Sequence, residues 1–108
     1  MVKTVFSRVS NKLVEFKAAG HAGYAEAGYD LVCSAVSAST IMIANGITDI
    51  LKVPAAISCE DGFLHINLRG LSEEELEKCQ ILMETMLSGL ECMEQSYGKY
   101  IKVLVEEV

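Results

Sequence analysis

Two residues of this chain combine a side chain suited to covalent chemistry with a spacing that lets them meet: His21 and Cys33. A thiolate attacks a carbonyl carbon, while a neighbouring imidazole first takes the thiol proton and later protonates the leaving amine. Both residues fall in the segment Ala18 to Ser37, AAGHAGYAEAGYDLVCSAVS. Its pattern reads as the end of a strand, a loop with Gly20, Gly23 and Gly28, and then a helix. A strand-loop-helix return of this length can bring the two side chains together. The glycines permit sharp turns and close approach of another chain.

Asp30 is the best N-cap candidate for that helix. Leu31, Val32 and Cys33 then occupy its first three positions. First-turn N–H groups have no intrahelical acceptors, and the helix end carries partial positive charge. Both effects favour a thiolate and can receive an oxyanion. Each residue also has a plainer reading. A Cys on an apolar helix is commonly a small buried hydrophobe, and Asp30 either caps the helix or orients His21. Ser37, one turn after Cys33, either hydrogen-bonds in the site or packs as a small residue. Tyr24 and Tyr29 line a substrate groove or cover the edge of the core. Cys59 and Cys79 fall on apolar faces and read as core, and Cys92 lies one position off the core stripe. His65 falls on a polar strand face and reads as solvated. No CxxC pair occurs, so a zinc ribbon or thioredoxin-like site has no support, and no metal or cofactor is expected.

The elements that must position these residues read as strand, strand, helix, strand, strand, helix, strand. Val2 to Val9 and Lys12 to Ala19 are strands joined at Ser10-Asn11; a two-residue loop there sets Val5 opposite Phe16 and Ser7 opposite Val14. Ala55 to Glu60 and Phe63 to Arg69 flank Asp61-Gly62, a type I′ hairpin signal. That loop pairs Cys59 with Leu64 and Ile57 with Ile66. The second helix opens on a capping box, Ser72 with Glu75, and carries a stripe from Leu76 to Met93, with Gly98 as its stop. The last strand is Tyr100 to Val105. The expected fold is α+β, in the order ββαββαβ, with two helices on one face of a mostly antiparallel five-stranded sheet. The 108 residues form a single domain.

Composition narrows the function. Fifteen acidic against nine basic residues give a formal net charge of -6, with no Lys/Arg cluster. A direct nucleic-acid ligand is not expected, and a basic peptide partner is favoured. Residues 31–48 carry no charge and approach the length of a membrane span. Six Ser, Thr and Asn residues within them argue for a buried helix in a protein without a membrane segment. With no secretory signal in the sequence, free thiols and a cytoplasmic location are expected. An uncharged helix needs more cover than a sheet provides, so contact with the second helix, a partner subunit or both is expected.

The segment GHAGYAEAGYDLVCSAVSAST resembles the ribosomal-processing cysteine protease family, Prp. The pattern is Gly-His at a strand end, a Gly-containing loop, then Asp-x-Val-Cys-Ser-x-Val-Ser opening a helix. Here it is carried by Gly20, His21, Asp30, Val32, Cys33, Ser34, Val36 and Ser37. The resemblance implies a peptidase that removes the N-terminal extension of a large-subunit ribosomal protein, with Cys33 as nucleophile and His21 as base. It implies Gly20, Asp30, Ser34 and Ser37 as accessory positions, and Tyr24 and Tyr29 join them as substrate-binding candidates on their place in the loop alone. It also implies a homodimer and a Gly-rich loop over the site. Two other readings stand beside it: a non-catalytic ribosome-associated binding module, and a thiol redox sensor. A sensor needs a second Cys within reach of Cys33, and the sequence names none.

Overall fold

A computed structural model describes residues 1–20 and 27–108, with only the backbone course described for 27–30. Strands β1 (Val2–Val9), β2 (Lys12–Ala19), β3 (Ala56–Glu60), β4 (Phe63–Asn67) and β5 (Ile101–Glu107) form one sheet in the order β3-β4-β2-β1-β5. All pairs are antiparallel except β1 with β5. Helices α1 (Ala27–Asn45) and α2 (Glu73–Tyr97) complete the expected ββαββαβ order. A π-helical turn, Gly46–Ile50, prolongs α1. The core lies between helices and sheet, around Phe6, Phe16, Leu13, Ile66, Met83 and Leu90.

The two tight hairpins exchange the turn chemistry expected of them. Ser10 and Asn11 both adopt positive φ, 49° and 70°, as a type I′ turn requires. At the second hairpin only Gly62 does, at 74°, so Asp61-Gly62 is not type I′. The loop length is the same, and the expected pairs Cys59↔Leu64 and Ile57↔Ile66 form. The first hairpin departs from its expected register. Val9 faces Lys12 and Arg8 faces Leu13, but Ser7 faces Glu15 and Phe6 faces Phe16. The extra residue is Val14, which forms a bulge instead of pairing with Ser7. Its carbonyl accepts from Leu68 N–H at 2.8 Å, and the Gln80 side-chain amide bonds both backbone groups of Leu13, at 2.8 and 2.9 Å. The bulge therefore anchors α2 to the sheet. Arg8 adds a two-pronged pair to Glu84 at 2.7 and 3.2 Å.

Helix α2 begins as its sequence directs, with both halves of the Ser72–Glu75 capping box present. Helix α1 begins earlier than expected. Its first residue is Ala27, so Asp30 stands in the first turn and is not the N-cap. Aspartate is favoured in a first turn as well as at a cap, because both place a carboxylate near the positive helix end. Helix α1 and the π-helical turn that prolongs it bury a narrow stripe: Val32, Val36, Thr40, Ala44 and, in the turn, Ile47. Leu31, Met42 and Ile50 are 61%, 71% and 79% exposed, so large apolar side chains stand on its outer face uncovered by the described residues. The window Leu31–Ile50 is long and apolar enough to cross a membrane by length and composition, and 28% of it is buried.

Candidate active site

A cleft of about 410 Å³ opens between α1 and the end of the sheet where β2 finishes and β4 begins. On the helix side it is walled by Cys33, Val36, Ser37, Thr40 and Ile41. On the sheet side it meets Val2, Ala18, Ala19, Gly20 and Leu64, and the rim is the β3–β4 hairpin from Cys59 to Phe63. Cys33 is half-buried and packs against the core, with its thiol free. It therefore faces an apolar wall while remaining open to a ligand in the cleft.

Gly20 is held at the floor by two constraints. Its N–H donates to Gly62 O at 3.0 Å, which ties the end of β2 to the hairpin turn. A Cβ there would lie 3.0 Å from Val2 Cα and 3.1 Å from Val2 Cγ2, so only glycine lets the strands approach this closely. His21 is the next residue in the chain.

The expected site residues divide as follows. Gly20, Cys33 and Ser37 share the cleft. Ser34 is exposed, with no part in the lining, because a helix turns it about 100° from Cys33. His21 and Tyr24 lie outside the described residues, as does the glycine loop at Gly23. Tyr29 and Asp30 are placed on the first turn of α1 by the backbone alone. That start changes the chemistry assigned to Cys33. It is the seventh residue of the helix, past the first turn, where the helix-end charge has fallen off. Its own N–H has a helical acceptor position four residues back. The activation expected from first-turn amides therefore does not hold for Cys33.

Three cleft residues have no signal in local sequence pattern. Thr40 reads as one more small polar residue of the helix, yet it is 1% exposed, its hydroxyl donating to Val36 O at 2.7 Å. Glu60 reads as the end of a strand and Asp61 as a turn residue. Cys59 corrects the core reading: it is exposed, because β3 is an edge strand and no described residue covers its end. Cys79 is buried as expected, where desolvation first and Glu75 second push its thiol above the ordinary range. Cys92 is exposed. His65 is not free in solvent. Its Nε2 lies 2.5 Å from Glu15 Oε2, and Arg69 Nε donates to Glu15 Oε1 at 3.1 Å. Burial pushes the Glu15 carboxyl up, but these two bonds and Lys17 outweigh it and hold the group below the usual carboxylate range. No cluster of three or more metal-ligating side chains occurs among the described residues.

The family model for cysteine protease Prp matches residues 1–102. The chain belongs to the Prp family. It is accordingly a cysteine protease, and the non-catalytic module falls away. The ribosomal processing cysteine protease Prp of Staphylococcus aureus is 29% identical over 84 residues, 78% of either chain. That of Bacillus subtilis is 28% identical over 111 aligned positions, 95% of this chain and 96% of the relative. The crystal structure of the essential ribosomal processing protease Prp from S. aureus with a covalently linked product peptide superposes with a TM-score of 0.82 at 25% identity. It covers 98% of this chain and 100% of that one.

Proposed function

We propose that this protease removes the N-terminal extension of a large-subunit ribosomal protein, through attack of the Cys33 thiolate with His21 as general base. The observation that carries the reading is the half-buried Cys33 thiol in the wall of a cleft whose floor ends at Gly20, one residue before His21. The relatives' names and the covalently held peptide of the S. aureus enzyme support a peptide substrate from the ribosome. In the first step the thiolate adds to the scissile carbonyl, and the imidazolium then protonates the departing amine. Water, deprotonated by the imidazole, hydrolyses the thioester and restores the thiol. Ser37 shares the cleft wall with Cys33, which supports a role for it in substrate contact. The acidic chain suits a basic substrate.

The working form in this reading is a homodimer in the cytoplasm. Free thiols suit a reducing compartment. The outer face of α1 and of the turn that prolongs it, with Ala38, Ile41, Met42 and Ile50, forms a largely apolar groove of about 620 Å³ against Leu82, with Asp49 as its one charged lining residue, and a second copy would cover the apolar part. Ala44, on the same uncharged helix, is 6% exposed and belongs to the core, so Met42 is the position that reports on this contact. The substrate assignment is tested by intact mass. The extended ribosomal protein should lose one N-terminal segment in the presence of the enzyme, and a shuffled extension should stay whole. An extended protein left intact, while other peptides are cut, would overturn the assignment.

A further inference from the structure

The cleft holds a second thiol that the proposed mechanism does not use. Directly opposed residues of neighbouring strands share a face of the sheet. Cys59 faces Leu64, and Leu64 faces Ala18, so the three form one row. Leu64 and Ala18 are 5% and 7% exposed, covered from the helix side. Helix α1 packs over β4, one strand inward from β3. Cys59 therefore stands on the helix-facing side about 4.8 Å beyond the strand that α1 covers. It walls the same cleft as Cys33 and is solvent-exposed. The remaining thiols do not compete: Cys79 is sealed in the core, and Cys92 is on α2 and outside the cleft.

We propose that Cys59 is the resolving thiol of Cys33, so that a peroxide converts the pair to a disulfide that switches the protease off reversibly. The proposal rests on the nucleophilic reading of Cys33. The Cys33 thiolate attacks one peroxide oxygen, the O–O bond breaks, and the sulfur is oxidised to a sulfenic acid with loss of hydroxide. The Cys59 thiol then attacks that sulfur, and hydroxide leaves as water once protonated by the Cys59 proton. Two thiols are thereby oxidised by two electrons, and one hydrogen peroxide is reduced to two waters. A dithiol reverses the bond by exchange. A disulfide holds its Cα atoms within about 7 Å, so the oxidised form is one with the cleft drawn shut. Strand β3 suits that movement, since it is paired on one edge alone and four of its five residues are exposed. Without Cys59 the sulfenic acid has no captor in the cleft and proceeds to the irreversible sulfinic acid.

The test treats wild type and Cys59→Ser with hydrogen peroxide, blocks residual thiols with N-ethylmaleimide before unfolding, and reads mass without reductant. Trypsin cuts after Lys17, Lys52 and Arg69, so Cys33 and Cys59 fall on separate peptides, residues 18–52 and 53–69. Wild type should give those two peptides joined, at a mass about 2 Da below their sum, the two thiol hydrogens. Dithiothreitol should return its peptidase rate to the untreated value. Cys59→Ser should instead gain oxygen, about 32 Da for the sulfinic acid, on the first peptide and stay inactive after dithiothreitol. Oxygen gained on wild-type Cys33 with no joined peptide, or equal recovery of both proteins, would overturn the proposal. Each rate is compared with the same protein untreated. Failure of the nucleophile reading shows separately, as full peptidase activity in Cys33→Ala.

Discussion

Gly20→Ala tests whether the close approach at the cleft floor is as tight as the fold implies. The new Cβ meets Val2 Cα at 3.0 Å, a backbone atom that cannot rotate away, so β1 or the end of β2 must shift by a few tenths of an ångström. Small-to-large changes at tight sites cost about 1–3 kcal/mol. Gly20 does not have positive φ, so alanine also gains about 0.4–1 kcal/mol by restricting the unfolded chain. The net loss is therefore about 1.3 kcal/mol at the middle of the two ranges. An unfolding entropy of about 2.1 cal/mol/K per residue over 108 residues is about 0.23 kcal/mol/K. The melting temperature should then fall by about 6 °C. The shift also moves the backbone next to His21, and a misplacement of about 1 Å can cost about 100-fold in rate. A displacement of tenths of an ångström should lower kcat/KM several-fold. Calorimetry and a peptide-cleavage assay read the two effects. A melting temperature that is unchanged or higher, with unaltered kcat/KM, would refute the reasoning.

Three further outcomes follow from the packing. Glu15 titrates below the ordinary carboxyl range when folded, so its contribution to stability is present above the unfolded value of 4.5 and is lost as pH falls through the lower folded value. Glu15→Gln should accordingly be less stable than wild type at neutral pH, and urea melts should show that gap closing below pH 4.5; a gap constant with pH would contradict the pairing with His65 and Arg69. Met42→Glu places a charge on the uncovered face of α1 and should convert a dimer to a folded monomer in sedimentation; a wild-type monomer at micromolar concentration would contradict the dimer. Ser72→Ala removes the side chain that accepts from Glu75 N–H and should cost about 1 kcal/mol, read as a drop of about 4 °C in the melt.

The parts of this molecule legible in sequence are those set by near neighbours. A two-residue loop and strict alternation fixed Cys59 opposite Leu64, and the capping box marked the start of α2. The β1–β2 register followed its loop only as far as Arg8, because the Val14 bulge is decided by α2, whose Gln80 claims the Leu13 backbone. The start of α1 was misplaced because an aspartate suits a cap and a first turn equally. The exposure of Cys59 could not be read from its own strand. It depends on β3 falling at the sheet edge, which the order β3-β4-β2-β1-β5 settles through segments far apart in the chain. For the same reason, Gly20, Cys33 and Ser37, expected together from one continuous segment, line one cleft, while Thr40, Glu60 and Asp61, which line it too, carried no such signal.

The central claim is that one thiol and one imidazole act as a unit, and the rate of extension removal by Cys33→Ala, His21→Ala and the double variant tests it most directly. Cys33→Ala should bind the extended substrate and leave it uncut. His21→Ala should be slower by about two to four orders of magnitude, the usual contribution of acid–base catalysis. The double variant should be no worse than Cys33→Ala, since residues acting as one unit do not add. Cleavage by Cys33→Ala at the wild-type rate, with the cut at the same bond, would contradict the account.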